Sequence, residues 1–182
     1  MLNLIHRSRG LWRLSESAGQ REQRRSFPPP SGRLSSVHHV GHNCKLGDQV
    51  ILANNALLGG YVEVGNSVFI SGNCVVHQFV RIGDYALMRG LSGTSRDVPP
   101  YAIVDWQHTV RGVNVVGLKR AGFDDRRIRD MKEAFGVLFR RGRNLSLAIK
   151  ELENHGKVNE DVLALLDFIK SSKRGVCGGA TE

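Results

Sequence analysis

Four of the seven histidines fall where a sequence repeat could bring them to one side of the molecule. They are His38, His39, His42 and His77. A neutral imidazole is the side chain best suited to accept a proton near neutral pH, and several imidazoles together can hold a metal ion. Single histidines on an outer strand are usually solvent-exposed polar residues, but this clustering favours a functional interpretation. Whether they meet depends on the repeat that carries them.

A hexapeptide repeat runs from Val40 to Gly93. Each six-residue unit has a large apolar residue at its first position and a small residue at its fifth. This pattern predicts a parallel β-helix of about three coils, in which each unit forms one side of a triangular coil. The first positions hold Val40, Leu46, Leu52, Leu58, Val64, Ile70, Val76, Ile82 and Met88, and the fifth positions hold Cys44, Val50, Ala56, Val62, Val68, Cys74, Val80, Ala86 and Ser92.

The coil period decides which histidines share a side. Units eighteen residues apart stack, so the units that begin at Val40, Leu58 and Val76 form one side. That side carries His42, Tyr61 and His77, with His39 at the preceding corner, and the other two sides carry no histidine. We therefore expect a histidine face on the solenoid.

The flanks of the repeat have different compositions. We predict a β-helix over residues 37–98, a connecting segment over 99–122 that Pro99 and Pro100 turn out of the solenoid, and a helical domain over 123–175. Apolar stripes and Asn or Asp caps indicate three amphipathic helices there.

Residues 1–36 hold seven arginines, two glutamates and three consecutive prolines. They predict a disordered basic tail that could open with a short amphipathic helix, with a transit peptide as the alternative.

Charge and cysteine content limit the functional classes. The formal net charge of +9 lies on the flanks, while residues 37–98 are balanced, and no interleaving of aromatic and basic residues indicates nucleic-acid binding. Cys44, Cys74 and Cys177 form no CxxC pair, which is typical of reduced thiols in a cytoplasmic protein. No apolar run is long enough for stable membrane insertion.

Several motifs together resemble the acyl-carrier-protein-dependent UDP-N-acetylglucosamine O-acyltransferases of lipid A synthesis. They are VHHVGHNCKLGDQVILANNALLGGYVEVG, VVHQFVRIG, DVPPYAIV and GVNVVGLKRAGF. The resemblance implies a left-handed parallel β-helix with a C-terminal helical subdomain, assembled as a homotrimer with sites between subunits. It implies transfer of a 3-hydroxyacyl group from acyl carrier protein to the 3-hydroxyl of UDP-N-acetylglucosamine, with no cofactor and no metal.

The resemblance also implies roles for individual residues. His42 matches the general base, and Gly60 matches the position whose N–H stabilises the oxyanion. The substrate-binding positions would be His39, Tyr61, His77 and Gln78 on the catalytic face, Gly90 as the gate for acyl-chain length, and His108, Asn114 and Arg120 near the nucleotide.

The sequence departs from the family in several places. Asn43 stands where many members have Asp, and Tyr61 replaces a histidine. Val116 and Ala121 replace a Glu and an Arg, and one residue is missing between His108 and Asn114. The coils that members carry before the first histidine motif are replaced by residues 1–36, as an N-terminal truncation or a frameshift would produce.

Two alternatives to a working acyltransferase remain open. One is an inactive remnant of that enzyme, which the missing coils favour. The other is a metalloenzyme similar to the hexapeptide carbonic anhydrases, in which His42 and His77 would need His38 or His39 as a third ligand. Metal analysis of the purified protein would separate the metalloenzyme from the acyltransferase.

Overall fold

The computed structural model describes residues 38–140, 144–154 and 158–179 with their side chains, and the backbone of 4–8, 11–15 and 33–34. The strands before and within the solenoid are β1 Leu4–Ser8, β2 Leu11–Ser15, β3 Arg33–Leu34, β4 His38–Val40, β5 Lys45–Leu46, β6 Ile51–Leu52, β7 Ala56–Leu58, β8 Glu63–Val64, β9 Phe69–Ile70, β10 Val75–Val76, β11 Arg81–Ile82, β12 Leu87–Met88 and β13 Gly93–Thr94. They are followed by β14 Ala102–Asp105, β15 Thr109–Val113, α1 Val115–Arg120, α2 Asp125–Leu138, α3 Leu145–Asn154, α4 Glu160–Lys170 and β16 Gly178–Gly179.

The strands from β3 to β14 form a parallel β-helix with three flat sides. One side is β4-β7-β10-β13, a second is β5-β8-β11, and the third is β3-β6-β9-β12-β14. Stacked residues are eighteen apart, as in the pairs His39–Leu57 and Leu57–Val75. The predicted β-helix and helical C-terminus are confirmed, whereas the left-handed sense stays a prediction.

The core of the solenoid is the set of first and fifth positions of the hexads. All of them are buried, from Val40 to Ser92. Between these strands the chain turns every six residues through a residue at positive φ, between 54° and 64°. L-residues other than Gly, Asn and Asp rarely adopt this conformation. The corner residues are Asn43, Gln49, Asn55, Tyr61, Ser67, Asn73, Phe79, Tyr85 and Leu91.

The solenoid continues further than predicted. Pro99 and Pro100 do not turn the chain out of it, because Leu87 still pairs in parallel with Ile103. Both prolines are buried at a corner beside Gly83. A Cβ added to Gly83 would lie 2.5 Å from the Pro100 nitrogen. Proline lacks an N–H to lose and is therefore tolerated at a corner. Only after β14 does the chain reverse, into the antiparallel strand β15.

Four helices follow, one more than predicted. The additional helix is α1, which Asn114 caps by accepting the Gly117 N–H at 3.1 Å. Asp124 caps α2 and Asn159 caps α4, as predicted, but α4 ends at Lys170 instead of near Gly175. Arg127 joins α2 to α4 through a bidentate ion pair with Asp161, with both nitrogen–oxygen distances at 2.8 Å. No helix among the described ranges is long and apolar enough to cross a bilayer.

The chain then returns to the end of the solenoid. Gly178–Gly179 pairs in parallel with β15, and Cys177 donates its N–H to the Asp97 carbonyl at 2.8 Å. Asp97 is buried and accepts bonds from the Arg81 backbone N–H at 2.9 Å, from Arg81 Nε at 3.1 Å and from Ser172 Oγ at 2.8 Å. These bonds fasten the segment after α4 to the β-helix.

Two strands occur at the N-terminus where the sequence predicted a disordered tail or a short helix. β1 and β2 pair antiparallel, and β2 lies beside β5. The helix prediction is therefore wrong for residues 4–8 and 11–15. Most of the remaining residues before His38 lie outside the described part of the chain.

Candidate active site

The side formed by β4, β7, β10 and β13, here called the histidine face, carries the imidazoles that the repeat placed there. His39 projects from β4 in register with Leu57 and Val75, and all three side chains are exposed. His42 and His77 lie at the corners that follow β4 and β10, and both are exposed. The prediction that one face gathers these histidines is confirmed.

His42 lies directly against the backbone of Gly60, one coil along. A Cβ built on Gly60 would lie 2.8 Å from His42 Nε2 and 2.9 Å from Cε1, so any larger residue would displace the ring from this position. The coils hold this contact, since the Tyr61 N–H donates to the His42 carbonyl at 2.9 Å. Within the described residues no acceptor receives the Gly60 N–H. An imidazole and an unpaired backbone donor thus lie side by side.

Two aromatic residues continue this corner. The Tyr61 ring meets the His42 ring edge-on at 5.0 Å between centroids and stacks on Phe79 at 5.0 Å. Both are about half exposed, at 44% for Tyr61 and 51% for Phe79, and both have positive φ. A backbone conformation unfavourable for bulky residues therefore holds two aromatic rings on the surface beside the imidazole.

Asn43 is the polar neighbour of Nδ1, the other ring nitrogen of His42. Its amide nitrogen Nδ2, a donor, lies 3.5 Å from His42 Nδ1. In this orientation the amide favours a bare Nδ1 and a proton on Nε2, and a flip that turns the amide oxygen toward Nδ1 is needed to leave Nε2 free to accept a proton. A neutral amide gives the imidazolium no charge stabilisation.

His77 and Gln78 lie at the next corner, one coil beyond Gly60. His77 Nδ1 is 3.2 Å from the Gln78 carbonyl and 3.3 Å from Nη2 of Arg174. Arg174 also donates from Nε to the Ser95 carbonyl at 3.0 Å. Arg174 could not be identified from the sequence, because it is 97 residues from His77 and follows the last helix.

His108 joins the histidine face at its end, away from Asn114 and Arg120, with which the resemblance groups it as a residue near the nucleotide. Its Nδ1 lies 3.2 Å from Thr94 Oγ1 and accepts from the Ser95 N–H at 3.4 Å. Burial, and then the positive charge of Arg96, lowers the pKa of His108. The lowered pKa favours the neutral form of the ring.

Asn114 and Arg120 lie on a different side of the solenoid. They line a groove of about 520 Å³ between α1 and the face of β6, β9 and β12. The Asn114 amide is already used within the chain, since it caps α1 and donates to the Tyr85 carbonyl at 2.8 Å. Gly90 follows β12 at an exposed corner, where an added Cβ would meet only the Gly72 carbonyl at an ordinary 3.5 Å. A single chain therefore does not bring all predicted site residues together.

A second groove, of about 340 Å³, opens beside the aromatic corner. Its walls include Tyr61 and Phe79 on one side and basic residues on the other. Lys45 pairs with Glu63 and Arg81 with Asp97, whereas Lys173 and Arg174 make no ion pair with an acid among the described residues. The basic residues are Lys45, Arg81, Lys173 and Arg174.

The metalloenzyme alternative needs three ligands close together. Over the described ranges, no three His, Cys, Asp or Glu side chains are grouped so that they could hold a metal ion. His38, His39, His42 and His77 all lie within those ranges, so a single chain does not form the ligand set that this alternative requires.

Comparison with known proteins agrees with this geometry. Residues 97–177 match a family model described as UDP N-acetylglucosamine O-acyltransferase, domain 2. A protein of Halorhodospira halophila named acyl-[acyl-carrier-protein]–UDP-N-acetylglucosamine O-acyltransferase is 45% identical over 144 residues, which is 79% of this chain and 56% of the relative. Over most of its length this chain is similar to the UDP-N-acetylglucosamine O-acyltransferases.

Solved structures of this family share the fold. The acyltransferase of Francisella novicida superposes with a TM-score of 0.73 at 33% identity, covering 79% of this chain and 53% of that one. The Campylobacter jejuni acyltransferase gives a TM-score of 0.72 at 35% identity, covering 79% and 56%. The chain spans about half the length of the family members that it matches.

Proposed function

We propose that this chain transfers a 3-hydroxyacyl group from the thioester of acyl carrier protein to the 3-hydroxyl of UDP-N-acetylglucosamine. The observation that carries the proposal is that His42 Nε2 occupies the space beside Gly60 that a Cβ would fill, while the Gly60 N–H is unpaired among the described residues. Acyl transfer from a thioester needs a base and an oxyanion donor next to each other, and this corner supplies both.

The reaction follows from these two groups. His42 Nε2 accepts the proton of the sugar hydroxyl as its oxygen attacks the thioester carbonyl. The carbonyl oxygen gains negative charge in the tetrahedral intermediate, and the Gly60 N–H donates to it. The carbon–sulfur bond then breaks, and the leaving thiolate receives the proton from the His42 imidazolium. The ester product and the carrier thiol account for all atoms.

The separation of the two predicted half-sites supports a threefold assembly. His42 lies on the histidine face, while Asn114 and Arg120 line the groove of a neighbouring side. In a trimer, the histidine face of one subunit would meet that groove of the next. Exposed apolar residues lie on both surfaces, with Leu57 and Val75 on the histidine face and Ile51 and Val116 at the groove. Sedimentation should give three times the 20.1 kDa chain mass, and a monomer at micromolar concentration would contradict this assembly.

The activity is tested by incubating the purified chain with 3-hydroxyacyl carrier protein and UDP-N-acetylglucosamine. Mass spectrometry should find the O-acylated sugar nucleotide together with free carrier thiol. Omitting the sugar nucleotide should prevent thiol release, because hydrolysis is not the proposed reaction. If the folded chain forms no product, the inactive remnant is the better description.

A further inference from the structure

Arg174 makes an unusual contact for a surface arginine, since it faces a ring nitrogen instead of a carboxylate. Its Nη2 lies 3.3 Å from His77 Nδ1, and its Nε donates to the Ser95 carbonyl at 3.0 Å. A guanidinium has only donors, and a neutral imidazole nitrogen is either a donor or an acceptor. The contact with Arg174 is therefore a hydrogen bond only when Nδ1 carries no proton.

A second neighbour competes for the same nitrogen. The Gln78 carbonyl is 3.2 Å from His77 Nδ1, and it would be satisfied only by a proton on Nδ1. Both neighbours cannot bond to Nδ1 at once. A hydrogen bond from a charged donor is about twice as strong as a neutral one, so the bond from Arg174 prevails.

We infer that Arg174 is a positioning residue that holds His77 as the tautomer with its proton on Nε2. In this state Nε2 of the exposed His77 ring is a donor, suited to a carbonyl or hydroxyl oxygen of the substrate, and it cannot act as a base. The inference about the substrate oxygen rests on the proposed acyl transfer. The tautomer itself does not.

The position of Arg174 depends on the contacts that fasten the segment after α4 to the β-helix. Asp97 is at the centre of these contacts, because its side chain binds Arg81 and Ser172 and its N–H donates to the Gly175 carbonyl at 2.9 Å. Arg81 also donates to Ser171 Oγ and to the Phe168 carbonyl, each at 3.2 Å. These contacts place the Arg174 side chain beside the histidine face.

Nitrogen NMR of the imidazole rings tests the inference directly. The protein is labelled with ¹⁵N-histidine and measured at a pH at which imidazoles are neutral, and His77→Gln identifies the His77 signals. We expect the wild-type His77 to show a bare Nδ1 and a protonated Nε2. A protonated Nδ1 in the wild type would overturn the inference.

Substitution of Arg174 is the second part of the test. In Arg174→Met, which has no donor, the tautomer should shift toward a proton on Nδ1, whereas Arg174→Lys should keep more of the wild-type state. Arg129→Met changes an exposed arginine of α2 and should leave the His77 signals unchanged. An unchanged His77 tautomer in Arg174→Met would contradict the positioning role.

Kinetics connect the tautomer to the proposed function. Loss of one hydrogen bond predicts that kcat/KM for acyl transfer falls about threefold to tenfold in Arg174→Met, while Arg129→Met retains the wild-type value. Equal rates in the two variants, with the tautomer shifted, would mean that His77 does not donate to the substrate. If the wild type shows no turnover, the acyl-transfer proposal fails, and the NMR result still decides the role of Arg174.

Discussion

Gly60 and His42 fit together so closely that no side chain can stand between them. A Cβ at position 60 would lie 2.8 Å from His42 Nε2, a distance that real Cβ atoms essentially never show. Because His42 and Gly60 lie at stacked corners, the distance between their backbones is set by the strand spacing between adjacent coils. The base and the oxyanion donor of the proposed reaction are therefore positioned by the repeat itself.

The variant Gly60→Ala tests this contact. The added methyl group should push the His42 ring away from the amide, so we expect at least about a tenfold loss in kcat, because a displaced base is lost from a near-attack geometry. Gly136→Ala is the matched control, since its Cβ would enter open space on α2, and it should leave kcat unchanged. Full turnover by a folded Gly60→Ala protein would show that the contact has no catalytic role.

Ser92 provides a test of the core. It occupies a buried fifth position, and its hydroxyl is the buried side-chain group without a hydrogen-bond partner in the described part of the chain. Ser92→Ala should raise the free energy of unfolding by about 1 kcal/mol, because it removes an unsatisfied polar group. Urea denaturation measures the change.

Thr94→Val is the matched comparison for Ser92→Ala. The Thr94 hydroxyl donates to the Arg96 carbonyl at 2.7 Å and accepts the Arg96 N–H at 3.0 Å. Its removal should lower the free energy of unfolding by about 1–3 kcal/mol, since these partners would lose their bonds. Destabilisation of equal size in both variants would contradict the assignment of Ser92 as unsatisfied.

Ionisation of Cys177 should lower the free energy of unfolding in alkaline solution. Burial raises the pKa of its thiol from 9.0 to about 11. The folded state holds the thiol proton more tightly than the unfolded state does. The contribution of Cys177 to the free energy of unfolding is therefore complete below pH 9 and is lost as the pH rises toward 11. The shift corresponds to about 2–3 kcal/mol at most.

The comparison with Cys177→Ala isolates this effect. Tyr101, whose pKa burial raises to about 12, titrates in both proteins and therefore cancels. Between pH 9 and 11 the free energy of unfolding should fall more steeply in the wild type than in Cys177→Ala. If urea denaturation gives the same dependence of the free energy of unfolding on pH for both proteins across that range, the role of Cys177 is refuted.

The β-helix could be predicted from the sequence because its signal is local and repeated. Each hexad independently places one large and one small residue inside, so Val40 to Ser92 are assigned without knowledge of distant contacts. The same period placed His39, His42 and His77 on one face. Helix α1 was missed because it has only six residues, three of them Val or Gly, which favour helix weakly.

The parts that could not be predicted are long-range. Nothing near Arg174 in sequence indicates that it reaches His77, because this contact depends on α4 and on the buried Asp97. The return of Gly178–Gly179 to β15 likewise has no apolar or polar pattern of its own. His108 reaches the histidine face only because β15 reverses against β14.

The most direct test of the account is the rate of acyl transfer in a single turnover by the wild type and by His42→Ala. A positioned base contributes about 10²–10⁴-fold, so His42→Ala should lose that much of the wild-type rate. His77→Ala and His108→Ala should each lose less, because those rings donate or accept hydrogen bonds without taking the proton of the attacking hydroxyl. Product formation by His42→Ala at the wild-type rate would contradict the assignment of His42 as the base and, with it, the proposed site.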